Sequence, residues 1–172
     1  MKIVVGIIVL VGWISVPAMA QESNPEKRMD FWIGTWNVHW NEGENETGSG
    51  TNTISKTLDG CVVSEHFVVE KGKMAGYKGK SYSILNRRSG TWKQTWVDNM
   101  GGYLEFEGAV QGDSVIFRRT AKDSTGQNFT QRMVFHQITD SAMVWDWQIS
   151  DRDKPGIWIN QWRIFYKRKS GS

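Results

Sequence analysis

Asp30-Phe31-Trp32-Ile33-Gly34-Thr35-Trp36-Asn37-Val38-His39-Trp40 is the stretch on which the reading of the whole chain turns. From Thr35 it alternates, with Trp36, Val38 and Trp40 on one side and Thr35, Asn37 and His39 on the other, which is the period of a strand with one buried face. Gly34 allows a sharp bend between Trp32 and Trp36, so that one aromatic can close the end of a barrel while the next opens its first strand.

Working outward, the segment before this strand divides in two. Lys2 precedes an apolar run from Ile3 to Ile14, and Ala18-Met19-Ala20 supplies the small residues of a cleavage site. Residues 1–20 therefore read as a Sec-type signal peptide cut after Ala20, and the protein as periplasmic or secreted. The run is too short for a membrane span, and no cysteine follows the cut to carry a lipid. Residues 21–30 form a polar N-terminal arm, in which Pro25 to Phe31 predicts a short helical turn. Residues 31–169 form the folded domain.

With the leader removed, twenty basic residues face eighteen acidic ones. That balance excludes nucleic acid as an expected partner, and the basic Lys167-Arg168-Lys169 reads as a solvated end. Cys61 is the single cysteine, so no intramolecular disulfide is possible; at the head of an apolar run it is expected to be a small buried side chain.

After Trp40, Asn41 to Gly50 reads as a loop rich in glycine and acid. Alternating runs then follow at even spacing near 51–58, 61–70, 76–86, 91–98, 103–110, 114–120, 128–138, 142–150 and 157–167, separated by turn sequences such as Asp59-Gly60 and Gln111-Gly112-Asp113. No sustained helical period occurs. Counting the first strand, the expectation is an all-β chain folded as a single antiparallel up-and-down β-barrel of about ten strands. Closure is the simplest way for so many meandering strands to leave no open edge.

The barrel interior decides function. Trp92, Gln94, Trp96 and Asp98 share one face of their strand; Trp145 pairs with Trp147; and Trp158, Asn160, Trp162, Ile164 and Tyr166 alternate together. So many tryptophans suit a pocket, where a flat apolar body and one donor are both useful. Glu65 shares a face with Val63, Phe67 and Val69, so its carboxylate is expected either to pair with Arg132 or Arg163 or to have a raised pKa. The expected site is a ligand pocket of Trp92, Gln94, Trp96, Glu65, Arg132, Trp145 and Trp162, taking a small, partly apolar or sugar-like molecule. Catalysis is a rival reading, with Glu65 or Asp98 as general base, although no reaction motif accompanies them. His39, His66 and His136 lack metal spacing, so no metal or cofactor is assigned; a haem or metal site through His66 or His136 is a further alternative. The last is a protein-interaction module with outward tryptophans.

Gly34-Thr35-Trp36 at the start of the first strand resembles the G-x-W signature of lipocalins and their calycin relatives, in which a basic residue near the last strand often stacks on the tryptophan; Arg163 or Lys167 could do so here. A closer resemblance covers nearly the whole domain. The chain is similar to a family of exported bacterial proteins with a lipocalin-like barrel, through Phe31 to Trp36, Asp59-Gly60-Cys61 with Glu65, Trp92 to Asp98, Gly101, Arg132, Ser150-Asp151 and Trp158. That resemblance implies the barrel and export, and supplies no activity. The family's last hairpin carries a threonine before the tryptophan, where this chain has Ile157. Nitrobindin-type haem barrels are more distantly similar, but the histidine they place near the C-terminus has no counterpart after His136.

Overall fold

The computed structural model describes residues 24–170, so the proposed leader and its cleavage point after Ala20 lie outside the described residues. Ten antiparallel strands close into a barrel in simple sequence order: β1 (Gly34–Gly43), β2 (Glu46–Thr57), β3 (Val62–Lys71), β4 (Lys78–Asn86), β5 (Thr91–Asp98), β6 (Tyr103–Gln111), β7 (Ser114–Lys122), β8 (Asn128–His136), β9 (Ala142–Ser150) and β10 (Trp158–Arg168). The expected all-β up-and-down barrel is the observed fold. The expected helical turn is two short 3-10 turns, Pro25–Lys27 and Asp30–Trp32, the first capped by the Asn24 side chain. Among the described residues no helix is long and apolar enough to cross a membrane.

Those turns close one end of the barrel. Met29 and Trp32 are fully buried, and Trp32 packs edge-on against Phe135 of β8. Gly34 then turns the chain into β1 with φ +131°, where an added methyl would also run into Arg168. The register sets Arg168 of β10 opposite Trp36. Its guanidinium lies 4.0 Å from the centre of the Trp36 ring and donates to the carbonyls of Ile33 (2.6 Å), Phe31 (3.1 Å) and Asp140 (2.5 Å). The basic residue beneath this tryptophan is thus neither Arg163 nor Lys167. Arg163 faces outward onto Asp146, and Lys167 is opposite Asn37.

The segment Asn41 to Gly50, read as a loop, is instead a tight hairpin turning at Glu44-Asn45, with Asn45 in the left-handed region. Its glycines serve close packing. A methyl on Gly48 would overlap the Trp40 indole, and one on Gly50 would strike the Val68 carbonyl of the neighbouring strand. Cys61, expected inside, is exposed. Leu58, Asp59 and Gly60 all take positive φ and carry the chain past the barrel end before β3 begins at Val62.

Two seams in the barrel are incomplete. The β6–β7 ladder runs from Glu107–Arg118 to Gln111–Ser114, leaving Tyr103 to Phe106 and Arg119 to Lys122 unpaired across it. The β1–β10 ladder runs only from Trp36–Arg168 to His39–Phe165. Both are intact beside the helical plug and part at the other end, so the barrel is closed below and splayed above. Replacing Arg168 with alanine removes the plug's cationic clamp and is expected to lower stability by about 3 kcal/mol in urea unfolding, with Arg168→Lys restoring less than half because an ammonium lacks the planar fork.

Candidate functional site

Inside the barrel, filled layers give way to a cavity of about 170 Å³. Trp36, Val38 and Trp40 of β1 and Trp92 of β5 are buried in the packed core. The cavity is walled instead by Trp96, Trp145, Trp147, Trp162, Phe67 and Phe106, with Trp32 contributed by the plug. Trp145 and Trp147 lie nearly parallel, 6.3 Å apart, and Trp162 stands perpendicular to Trp145 and to Phe67. Trp96 stacks loosely on Tyr77 at the splayed end.

A β-bulge decides which tryptophans of β10 take part. Gln161 has no partner on β9, where Asn160 pairs with Gln148 but Trp162 pairs with Trp147. The extra residue exchanges the faces of the strand. Trp162, Ile164 and Tyr166 therefore point inward, whereas Trp158 and Asn160, expected beside them, lie with Gln148 on the outside. Of the tryptophans among the described residues, Trp158 alone sits on the outer face, under the Arg132 guanidinium at 3.8 Å. The other described tryptophans are buried in the core or line the cavity, so the outward tryptophans of the interaction-module alternative reduce to Trp158.

Glu65 faces inward and is 7 % exposed. Its partners are neutral: Asn52 Nδ2 donates to Oε1 at 2.7 Å and Ser81 Oγ to Oε2 at 2.5 Å. Asn52 also donates to the Tyr166 hydroxyl, and Gln94 donates to Ser83 and, more distantly, Ser81. Burial pushes the Glu65 carboxyl up to about 7, with the hydrogen bonds from Ser81 and Asn52 pulling the other way. Asn52 Oδ1 and the indole nitrogens of Trp32 and Trp92 are buried without partners.

Of the two alternatives read for Glu65, a raised pKa agrees with its neutral surroundings and the arginine partner is not there. Arg132 is on the outer face of β8, donating to Gln148 at 2.7 Å, and Arg163 clamps Asp146 through two bonds of 2.7 Å. Asp146 is 2 % exposed though it points away from the barrel interior, covered by Arg163, His136 and Gln148. Burial raises its pKa, but Arg163 and then His136 outweigh that and hold it below the usual carboxylate value. Arg132 thus belongs to an outer network of charge and not to the pocket. Its strand register explains the error: Met133 and Phe135 take the inward positions on β8.

Asp98 sits at the splayed rim, beyond Trp96. Burial works to raise its pKa, and is outweighed by hydrogen bonds from the Gly102 amide, the Trp96 indole, the Met100 amide and the Tyr77 hydroxyl, which leave it lowered. A carboxylate saturated with donors is a weak base, so Asp98 acts as a positioning group for Trp96. The histidines do not reach the cavity. His66 is exposed, His39 stacks on Phe165 outside, and His136 faces Asp146. Among the described residues no cluster of metal-ligating side chains occurs.

Arg119 was missed by sequence reading. It follows Phe117 on the inward face of β7 beside the open seam, donates to Gln131 at 2.6 Å and lies 6.0 Å from the Phe106 ring centre. A polar cleft runs along this seam, and Gln94 and Phe106 line both the cleft and the cavity. The only signal in the sequence is the alternation through Val115, Phe117 and Arg119. No protein-family model matches the chain, and no curated protein matches it.

Two outcomes are expected. Glu65 holds a proton in the folded state up to about pH 7, whereas in the unfolded chain it loses it near 4.5. The folded protein then binds the extra proton between those values, so stability should fall as pH rises from about 4.5 to about 7, by on the order of 3 kcal/mol. The wild-type and Glu65→Gln unfolding curves across that window should differ by this slope. Separately, a methyl on Gly79 would overlap the Trp96 ring. Gly79→Ala should displace the indole, cost about 1–3 kcal/mol and shift tryptophan emission.

Proposed function

We propose that the barrel binds one compact, largely apolar molecule about the size of a single aromatic ring. The observation that carries this reading is the cavity of about 170 Å³, walled by aromatic rings and left unfilled in an otherwise packed interior. An apolar cavity of about 150 Å³ takes a benzene-sized guest, and drug-sized pockets begin near 300 Å³. Glu65 and Gln94 are the polar groups that orient the guest. So few polar groups favour the partly apolar ligand over a sugar, whose hydroxyls each need a partner.

Export through a leader cut after Ala20, and kinship with the lipocalin-like exported family, are part of the same proposal. The stacking of Arg168 on Trp36 behind Gly34 supports that kinship. A second reading has Glu65 as a general base, favoured by a carboxyl raised to about 7 in a water-poor pocket. Any turnover whose pH–rate profile survives Glu65→Gln unchanged would remove it.

Titration of the protein with indole and with phenol, followed by tryptophan fluorescence, tests the binding reading. Saturable one-to-one binding is expected, weakened at least about tenfold by Trp145→Ala, since each good aromatic contact contributes about 1 kcal/mol beyond its buried area. Weakening of binding should exceed any change in the fluorescence-monitored unfolding midpoint; equal losses would mark Trp145 as core.

A further inference from the structure

The cavity holds a carboxyl group and no positive charge. Among the described residues, no lysine, arginine or histidine lines it. Glu65 is met by Asn52 of β2 and Ser81 of β4, both neutral. The other titratable groups around it carry no positive charge either. Burial raises Tyr166 of β10 well above the usual phenol value and Tyr77 to about 12, so both stay protonated; Asp98 at the rim is a second acid with its own donors. Arg119, the inward-facing cation beside the open seam, is bound to Gln131 beyond Phe106.

The walls add to this imbalance. Aromatic faces carry negative potential, and a cation over a tryptophan face is held by it, most strongly where water is excluded. Trp145 and Trp147 lie nearly parallel, Trp162 stands perpendicular to Trp145, and Trp96 lines the same space. Aromatic rings thus wall a space bordered by a carboxyl that no lining cation neutralises.

We propose that the ligand of this cavity is a small organic cation, an alkylammonium of about one ring's bulk, with its charge toward Glu65 and its methyl or methylene groups against the tryptophan faces. The assignment rests on the reading of the barrel as a small-molecule binder and names the chemical class of its guest. A neutral guest leaves Glu65 to hold a proton and the walls' potential unused, whereas an ammonium draws on both. An anion meets repulsion from each. A hard metal ion finds too few oxygen ligands, since Ca²⁺ takes about six to eight.

Calorimetric titration with choline and with its neutral carbon isostere, 3,3-dimethylbutan-1-ol, isolates charge at constant shape. At pH 8.5, choline should bind at least about tenfold more tightly than the alcohol. Below about pH 7, choline affinity should fall about tenfold per pH unit as Glu65 takes up a proton, while the alcohol's affinity stays level. Glu65→Gln, close in shape to the native side chain, should lose both the pH dependence and most of the preference. If the alcohol binds as tightly as choline at pH 8.5, the cation assignment is overturned while the barrel remains a small-molecule binder. If choline, the alcohol, indole and phenol all fail to bind, the binding reading falls and this inference falls with it. A choline preference that Glu65→Gln leaves intact overturns the role given to Glu65.

Discussion

The structure depends on a single guanidinium at the closed end of the barrel. Arg168, at the last position of β10, lies on the Trp36 ring and ties down the carbonyls of Phe31 and Ile33. Those carbonyls belong to the plug, and Trp36 belongs to the first strand, so one side chain joins the first strand, the last strand and the plug. Gly34 makes this possible because any side chain there would occupy the space of the guanidinium and would have to adopt φ +131°. Closure at this end leaves the other end free to part at β1–β10 and β6–β7.

The packed layers and the cavity follow from where small and large residues fall. Gly48 admits the Trp40 ring, Gly79 the Trp96 ring and Gly108 the Phe117 ring. Large aromatics thereby lie against the backbone wall rather than projecting across the interior, which is how the barrel can carry so many of them and still enclose space. The bulge at Gln161 adds Trp162 to that wall by exchanging the faces of β10 partway along its length.

Glu65 runs against the hydrophobic logic of its surroundings. Held by two neutral donors and raised to about 7, it makes the folded state less stable at neutral pH than a neutral isostere would. A destabilising polar group inside a cavity is expected at a site of function more than in a structural core. Asp146 is the contrasting case, since it is as deeply buried yet fully compensated by Arg163 and His136.

By itself the sequence determined the all-β barrel, the strand ladder from Thr51 onward, the buried face of Trp36, Val38 and Trp40, and the placement of Glu65 on an apolar face. All of these are written in the alternation of neighbouring residues, a local property with a period of two. The tertiary structure alone decided that Arg168 serves Trp36, that Arg132 and Arg163 face outward, that Trp158 leaves the face Trp162 occupies, that Asn41 to Gly50 is a hairpin and that Arg119 turns inward beside an open seam. Each of these is set by cross-strand register, by a bulge or by a close contact between distant residues. One unpaired residue exchanges the two faces of a strand, and nothing in the strand's own pattern marks where that residue will be.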